Sequence, residues 1–187
     1  MIKKFEKSFL TMFGIGYFTK IPGSLGSLVT CIIFYFIHKL SLVGEWFLPG
    51  VQMVLVYYLI FFIYIFFYSS YVINKYYKKN DAKEIVIDEF LGQSIPLMSY
   101  YYFLYNSNDF LSFIWIGGFF GTGHTSGFIS WILISFLLFR FFDILKPYPI
   151  NLIDKKMKNG FGVMLDDVLA GIFATLVLYI SISLWFN

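Results

Sequence analysis

The chain has 187 residues, of which 59% are hydrophobic and only 13% are charged, whereas about 25% are charged in an average soluble domain. This composition excludes an ordinary soluble domain and predicts a single integral-membrane domain over residues 1–187. The net charge is +3, and we expect no nucleic-acid partner. The single cysteine, Cys31, excludes an intramolecular disulfide.

The N-terminal segment is basic and contains a short apolar run from Phe9 to Phe18. Because the run lacks a small-residue cleavage site, we interpret it as an interfacial or re-entrant helix rather than a signal peptide. Five further stretches are apolar enough to cross a bilayer, which takes about 20 residues. They cover residues 24–43, 51–73, 85–105, 127–147 and 163–186. The sequence therefore predicts an all-α polytopic bundle of about five transmembrane helices with an N-terminal interfacial or re-entrant helix.

The basic residues are distributed unevenly among the connectors. They concentrate in the N-terminal segment and in connectors 74–84 and 148–162, whereas connectors 44–50 and 106–126 contain no Lys or Arg. Positive residues remain in the cytoplasm. The N-terminus is therefore predicted inside the cell, and the apolar connector 106–126 at the outer face.

The connector after the fourth span carries two local signals. Pro147 disfavours a helical conformation at the preceding residue, so the fourth helix is predicted to stop near Lys146. The segment 150–162 fits either a short helix on the inner leaflet, with Asn159-Gly160 as its C-cap, or a plain basic loop.

With the exception of Lys39, late in the first span, the charged residues within the spans fall at the predicted cytoplasmic ends. They are Asp88 and Glu89 in the third span, Arg140 and Asp143 in the fourth, and Asp166 and Asp167 in the fifth. Charges that merely mark the ends of spans would be scattered over both faces. The clustering therefore indicates a site at one depth.

Helical spacing predicts that the acids point into the bundle. Asp88 is followed four positions later by Gly92, and Asp167 by Gly171. Residues four apart share one face of a helix, and small residues on that face let two helices approach closely.

Converging carboxylates beside an arginine and a lysine are typical of a Mg²⁺ site that also binds phosphate. Internal Arg–Asp pairing that holds helices together is the alternative, but it leaves two adjacent acid pairs without partners.

The turn formed by residues 22–27 is a candidate phosphate contact, since Gly23 and Gly26 allow close approach and Ser24 or Ser27 can cap. An ordinary serine-capped helix start also explains it.

Four segments, in order, resemble the bacterial phosphatidylglycerophosphatase A family over roughly residues 14–180. They are Ile21-Pro22-Gly23-Ser24-Leu25-Gly26-Ser27, Ile87-Asp88-Glu89-Phe90-Leu91-Gly92, Arg140-x-x-Asp143-x-x-Lys146-Pro147-x-Pro149-Ile150 and Gly160-x-Gly162-x-Met164-x-Asp166-Asp167-x-x-Ala170-Gly171. Ser24 stands where Thr is expected in the family, which keeps the hydroxyl. The resemblance implies a Mg²⁺-dependent enzyme of the bacterial inner membrane that removes the terminal phosphate of phosphatidylglycerophosphate, an anionic phospholipid of the inner leaflet.

The resemblance also implies roles for individual residues. Metal ligation falls to Asp88, Glu89, Asp166 and Asp167, and catalysis to Asp143, Asp88 and Asp167. Substrate binding falls to Pro22, Gly23, Ser24, Gly26, Ser27, Arg140 and Lys146.

On this hypothesis one or two Mg²⁺ ions activate water and neutralise the phosphate, and a covalent aspartyl-phosphate is the alternative to direct attack by water. Asp143 either orients Arg140 or acts as a base.

Two other classes of function compete with the phosphatase hypothesis. One is a small ion- or proton-coupled transporter that uses the buried carboxylates, and the other is a non-catalytic assembly subunit. The outer halves of the spans are almost purely apolar and show no path for ions, which disfavours the transporter.

Overall fold

The computed structural model describes residues 2–18, 20–43, 51–77, 82–106 and 124–186. Across these ranges the chain is helical and contains no β-strand, which confirms the predicted all-α class. The helices are α1 (Ile2–Leu10), α2 (Pro22–Val43), α3 (Val51–Tyr76), α4 (Ile87–Asn106), α5 (His124–Leu145), α6 (Ile150–Lys156) and α7 (Gly160–Phe186), with a 3₁₀ turn at Ile15–Tyr17.

Four of the helices are long and apolar enough to cross a membrane, judged by length and composition. The windows are Pro22–Leu40, Met53–Tyr76, Gly127–Leu145 and Gly160–Ser181. The fifth long helix, α4, has 20 residues and packs against α2, α3, α5 and α7. The outward faces of the bundle are apolar, as exposed side chains such as Phe61, Leu137 and Leu176 show. Such a surface suits contact with acyl chains.

The N-terminal helix differs in position from the prediction. It covers Ile2–Leu10, whereas the run from Phe9 to Phe18 was expected to be helical. The chain turns directly after α1, because Met12, Phe13 and Gly14 all have positive φ angles. The placement of α1 relative to a membrane stays a prediction.

A buried acid holds α1 against α3. Glu6 Oε1 lies 3.1 Å from Lys75 Nζ, and its other oxygen accepts a hydrogen bond from the hydroxyl of Tyr76. This hydrogen bond and the charge of Lys75 hold the pKa of Glu6 below its usual value, although burial acts in the opposite direction. The contact joins residues about 70 positions apart. No local pattern in the sequence could therefore reveal it.

The segment around α6 places the ends of α5 and α7. Helix α5 ends at Leu145, and Lys146 takes a left-handed conformation (φ 42°), in agreement with the predicted stop. The short helix α6 is present, but the prediction that Asn159 is its C-cap is wrong. Asn159 Oδ1 instead accepts a hydrogen bond from the backbone N–H of Gly162 (2.8 Å), and therefore caps the start of α7. Asn74 on α3 accepts a second hydrogen bond from Gly160 N–H at 2.6 Å.

Three helices begin nearer the N-terminus than predicted. Helix α2 begins at Pro22 instead of residue 24, α5 at His124 instead of residue 127, and α7 at Gly160 instead of residue 163. Pro suits the first helical position because its missing N–H has no partner there. The segment 22–27 is therefore the first part of a helix and not a turn. Residues 44–50 and 107–123, and with them most of the connector predicted over 106–126, lie outside the described residues.

Candidate active site

A cavity of about 450 Å³ lies at the end of the bundle where α2, α4 and α7 begin and α5 ends. Nine of the residues that the sequence singled out line this cavity. They are Pro22, Gly23, Asp88, Glu89, Arg140, Asp143, Lys146, Asp166 and Asp167. Four helices and the connector after α5 thus bring these side chains to a single space.

Three carboxylates form a compact cluster within the cavity. Asp88, Glu89 and Asp167 each offer one carboxylate oxygen, and these oxygens lie within 4.8 Å of one another. Asp88 is 9% exposed and Asp167 is 5% exposed. Oε2 of Glu89 is buried and has no hydrogen-bond partner among the described residues. Buried carboxylates at such short separation repel each other unless a cation or protons compensate them. An all-oxygen donor set of this kind fits a hard divalent cation such as Mg²⁺.

Glycine contacts between α4 and α7 bring these acids together. A Cβ atom at Gly92 would lie 2.5 Å from the carbonyl oxygen of Asp167, and one at Gly171 would collide with the carbonyl oxygen of Gly92. Pro96, inside α4, has no N–H to donate to that carbonyl, so it does not form the usual intrahelical bond. The two backbones therefore touch directly, one turn after Asp88 on α4 and one turn after Asp167 on α7. The predicted role of the two glycines agrees with this geometry.

Arg140 lies between an acid on its own helix and the start of α2. Its Nη1 is 2.8 Å from Oδ2 of Asp143, three residues later on α5. This contact is a close ion pair without hydrogen-bond geometry, and Nε of Arg140 has no hydrogen-bond partner within the described ranges. Gly23 leaves room for the guanidinium and for Glu89, because a Cβ there would lie 3.3 Å from Nη1 and would collide with Oε1 of Glu89. The guanidinium thus keeps donors available for a ligand.

Lys146 is held between two carboxylates. Its Nζ lies 2.5 Å from Oδ2 of Asp166 and 3.0 Å from Oδ1 of Asp154. Burial would lower the pKa of Lys146, but the charges and hydrogen bonds of the two carboxylates outweigh burial and raise the pKa above its usual value. For Asp154, burial raises the pKa, and the hydrogen bond and charge of Lys146 outweigh it and lower the pKa. Both groups therefore stay charged at neutral pH.

The structure separates some residues that the sequence grouped. Asp166 pairs with Lys146 and is not a member of the three-carboxylate cluster. Ser24, Gly26 and Ser27 do not line the cavity. A Cβ at Gly26 would meet Val86, and the hydroxyl of Ser27 donates a hydrogen bond to the carbonyl oxygen of Gly23 at 3.0 Å.

Sequence reasoning missed four charged residues of the cavity as site candidates. Asp154 lies on α6, and its only sequence signal is an acid within a basic connector. Lys20, Lys83 and Lys158 also line the cavity. In the sequence they served only to predict the topology, as basic residues of the N-terminal segment and the connectors.

Comparison with known proteins assigns the chain to a family. The sequence model described as Phosphatidylglycerophosphatase A matches residues 8–182. The chain is 36% identical to Phosphatidylglycerophosphatase A of Haemophilus influenzae over 176 residues, which cover 92% of this chain and 85% of that protein. It is 30% identical to Phosphatidylglycerophosphatase A of Escherichia coli over 167 residues, 89% of this chain and 77% of the relative. The chain belongs to the phosphatidylglycerophosphatase A family.

Membership of this family makes the protein a phosphatase and confirms the resemblance found in the four sequence segments. The matched range contains every residue that lines the cavity. The transporter and assembly-subunit alternatives find no support in the relatives. No solved structure matches the chain.

Proposed function

We propose that the protein hydrolyses the terminal phosphomonoester of phosphatidylglycerophosphate and releases phosphatidylglycerol and inorganic phosphate. We also propose that Mg²⁺ is its cofactor and that the reaction takes place at the cytoplasmic face of the bacterial inner membrane. The names of the two relatives support the substrate. The observation that carries the proposal is the meeting of the carboxylate cluster, Arg140 and Lys146 in one cavity.

The carboxylate cluster provides the residues that would hold the cofactor. Asp88, Glu89 and Asp167 supply oxygen ligands from α4 and α7. Bound there, Mg²⁺ would supply charge neutralisation for the phosphate and would lower the pKa of a coordinated water molecule. The unpartnered Oε2 of Glu89 is consistent with a ligating role.

Arg140 and Lys146 bind the phosphate oxygens. The guanidinium engages two oxygens with a fixed fork of donors, and the ammonium adds a compact charge. Asp143 positions Arg140 through the 2.8 Å ion pair, and Asp166 positions Lys146. Phosphoryl transfer depends mainly on positioning and charge stabilisation, which these four residues provide.

The reaction is a hydrolysis in which water supplies the nucleophile. A new bond forms between the water oxygen and phosphorus, while the bond between phosphorus and the terminal glycerol oxygen breaks. The proton that water loses is balanced by the proton that the leaving glycerol oxygen gains. Arg140 and Lys146 stay in contact with the phosphate oxygens throughout and stabilise their negative charge.

The positive residues around the cavity support the proposed cytoplasmic orientation. Lys20, Lys83, Lys146 and Lys158 all line the cavity, and Lys155 and Lys156 end the adjacent helix α6. Positive residues favour the cytoplasmic side. The head group of an inner-leaflet lipid would then reach the cavity while its acyl chains remain in the bilayer.

The activity is tested with purified protein and phosphatidylglycerophosphate in nonionic detergent micelles. We expect phosphate release with Mg²⁺, none with EDTA, and loss of release in Asp88→Asn and Asp167→Asn. Glu84→Gln is the matched control, because Glu84 precedes α4 and does not line the cavity. Isothermal titration calorimetry should show Mg²⁺ binding by the wild type and the control but not by the two Asn variants. Release that is insensitive to EDTA would refute the metal, and release that persists in both variants would refute the site.

The membrane face is tested separately by thiol labelling. Cys31 is the only cysteine and is buried, so a Cys31→Ser background allows a single reporter at Lys156→Cys. We expect an impermeant maleimide to label this position only after cells are permeabilised. Labelling in intact spheroplasts would place the cavity at the outer face.

A further inference from the structure

Three exposed lysines line the cavity. Lys20 precedes α2, Lys83 precedes α4, and Lys158 lies between α6 and α7. All three side chains are exposed, whereas the carboxylates of the cluster are largely buried, so the lysines lie nearer to solvent. Within the described ranges none of the three forms an ion pair. They differ in this from Arg140 and Lys146, which are both paired with acids.

The proposed substrate has a second phosphate that the deep site does not use. Its terminal phosphomonoester is joined by a glycerol unit to a phosphodiester, which carries one further negative charge. With the monoester at Arg140 and Lys146, the phosphodiester lies one glycerol unit away from them, and the three exposed lysines line the same cavity. Charge complementarity therefore favours contact between the phosphodiester and these lysines.

We propose that Lys20, Lys83 and Lys158 form a second anion subsite that binds the phosphodiester of the substrate, an inference that rests on the proposed function. The subsite makes the enzyme selective for lipids with two linked phosphates over simple phosphomonoesters. It contributes mainly to substrate binding, because the phosphodiester does not react. The three lysines come from separate segments and meet at one cavity, whereas neighbouring Lys155 and Lys156 do not line it.

The test compares two lipids that share the phosphomonoester and differ in the phosphodiester. Phosphatidylglycerophosphate contains both groups, and phosphatidic acid contains only the monoester. In nonionic micelles, the triple variant Lys20→Gln/Lys83→Gln/Lys158→Gln should raise the KM for phosphatidylglycerophosphate about tenfold, equivalent to about 1.4 kcal/mol. We expect kcat, and the inhibition constant of phosphatidic acid, to stay within about twofold of the wild type.

Two controls separate the subsite from other effects of charge. Lys155→Gln/Lys156→Gln removes nearby positive charge outside the cavity and should leave the KM unchanged. The triple Lys→Arg variant retains the charge and should restore the KM toward the wild-type value. Because exposed charges are screened, the difference in KM between the wild type and the Gln variant should shrink as ionic strength rises.

Three outcomes would overturn the subsite. They are an unchanged KM in a monodisperse triple variant, an equal weakening of phosphatidic acid inhibition, and an effect that appears only when anionic lipid is added to the micelles. The second outcome would indicate general attraction of anions, and the third would indicate contact with bulk lipid. A wild-type protein that does not hydrolyse phosphatidylglycerophosphate would instead refute the proposed function, which makes the two failures distinguishable.

Discussion

The backbone contact between α4 and α7 should set the geometry of the carboxylate cluster, and Gly92→Ala tests this. The added methyl group would lie 2.5 Å from the carbonyl oxygen of Asp167 and 2.6 Å from Cε2 of Phe139. Ordinary contact begins at 3.4 Å, so α4 and α7 would have to separate by the difference, 0.9 Å. The neighbouring atoms belong to a helix backbone and a buried ring and cannot rotate away.

A separation of this size is large for a metal site. If the cluster binds Mg²⁺ as proposed, a shift of nearly 1 Å between Asp88 and Asp167 would disrupt coordination by both residues, because Mg²⁺ tolerates little departure from octahedral geometry. A misplacement of about 1 Å can lower a catalytic rate roughly 10²-fold. The overpacking itself should destabilise the fold by about 1–3 kcal/mol. We therefore expect a folded protein that has lost most of its activity and its Mg²⁺ affinity.

The assay measures kcat/KM with phosphatidylglycerophosphate, the Mg²⁺ dissociation constant by calorimetry, and the fraction of monodisperse protein. Gly160→Ala is the matched control, since its methyl group would collide with the carbonyl oxygen of Ser70 on α3, a helix that contributes no residue to the cavity. The control should lose thermal stability but retain Mg²⁺ affinity. If folded Gly92→Ala protein binds Mg²⁺ and turns over substrate like the wild type, the helix contact does not set the site.

Three further substitutions probe other parts of the cavity. Gly23→Ala adds a methyl group that collides with Oε1 of Glu89, and we expect kcat/KM to fall roughly 10²-fold without loss of monodispersity. Arg140→Lys keeps the charge but removes the fork of donors. Because a hydrogen bond to a charged group is worth about 1.5–3 kcal/mol, we expect kcat/KM to fall about 10- to 100-fold. Asp154→Asn removes one of two carboxylates around Lys146; because the Asp154 side chain is 33% exposed, we expect the KM to rise less than about fivefold. Wild-type kinetics in Gly23→Ala or Arg140→Lys, or loss of activity in Asp154→Asn, would contradict these roles.

The fold could be predicted wherever the determining signal is local. Apolar runs gave the long helices, and Pro147 gave the end of α5, because both act within a few residues. The signal was ambiguous at Asn159, since asparagine caps either end of a helix and the choice depends on which segment is helical. No local signal predicts the position of α1, because Glu6 holds this helix through partners on α3 about 70 residues away.

The sequence could predict which helices contribute residues to the site, but not which side chains pair with one another. Hydropathy and the positive-inside rule placed the acids at one end of the bundle, and the spacing to Gly92 and Gly171 indicated that they face inward. Which carboxylate contacts which cation depends on the rotation of each helix and on side-chain reach. For this reason Asp166 was grouped with the metal ligands, although it contacts Lys146, and Asp154 was not recognised.

The rotation of a helix also explains why two adjacent acids occur at the start of α7. Successive side chains on an α-helix point about 100° apart, so one pair of neighbours can address two different partners. Asp167 joins the cluster with α4, while Asp166 holds Lys146 from the end of α5. The paired acids therefore connect the proposed metal-binding and anion-binding sides of the cavity through one rigid helix. A single acid at either position could serve only one side, which accounts for retaining two costly charges inside an apolar segment.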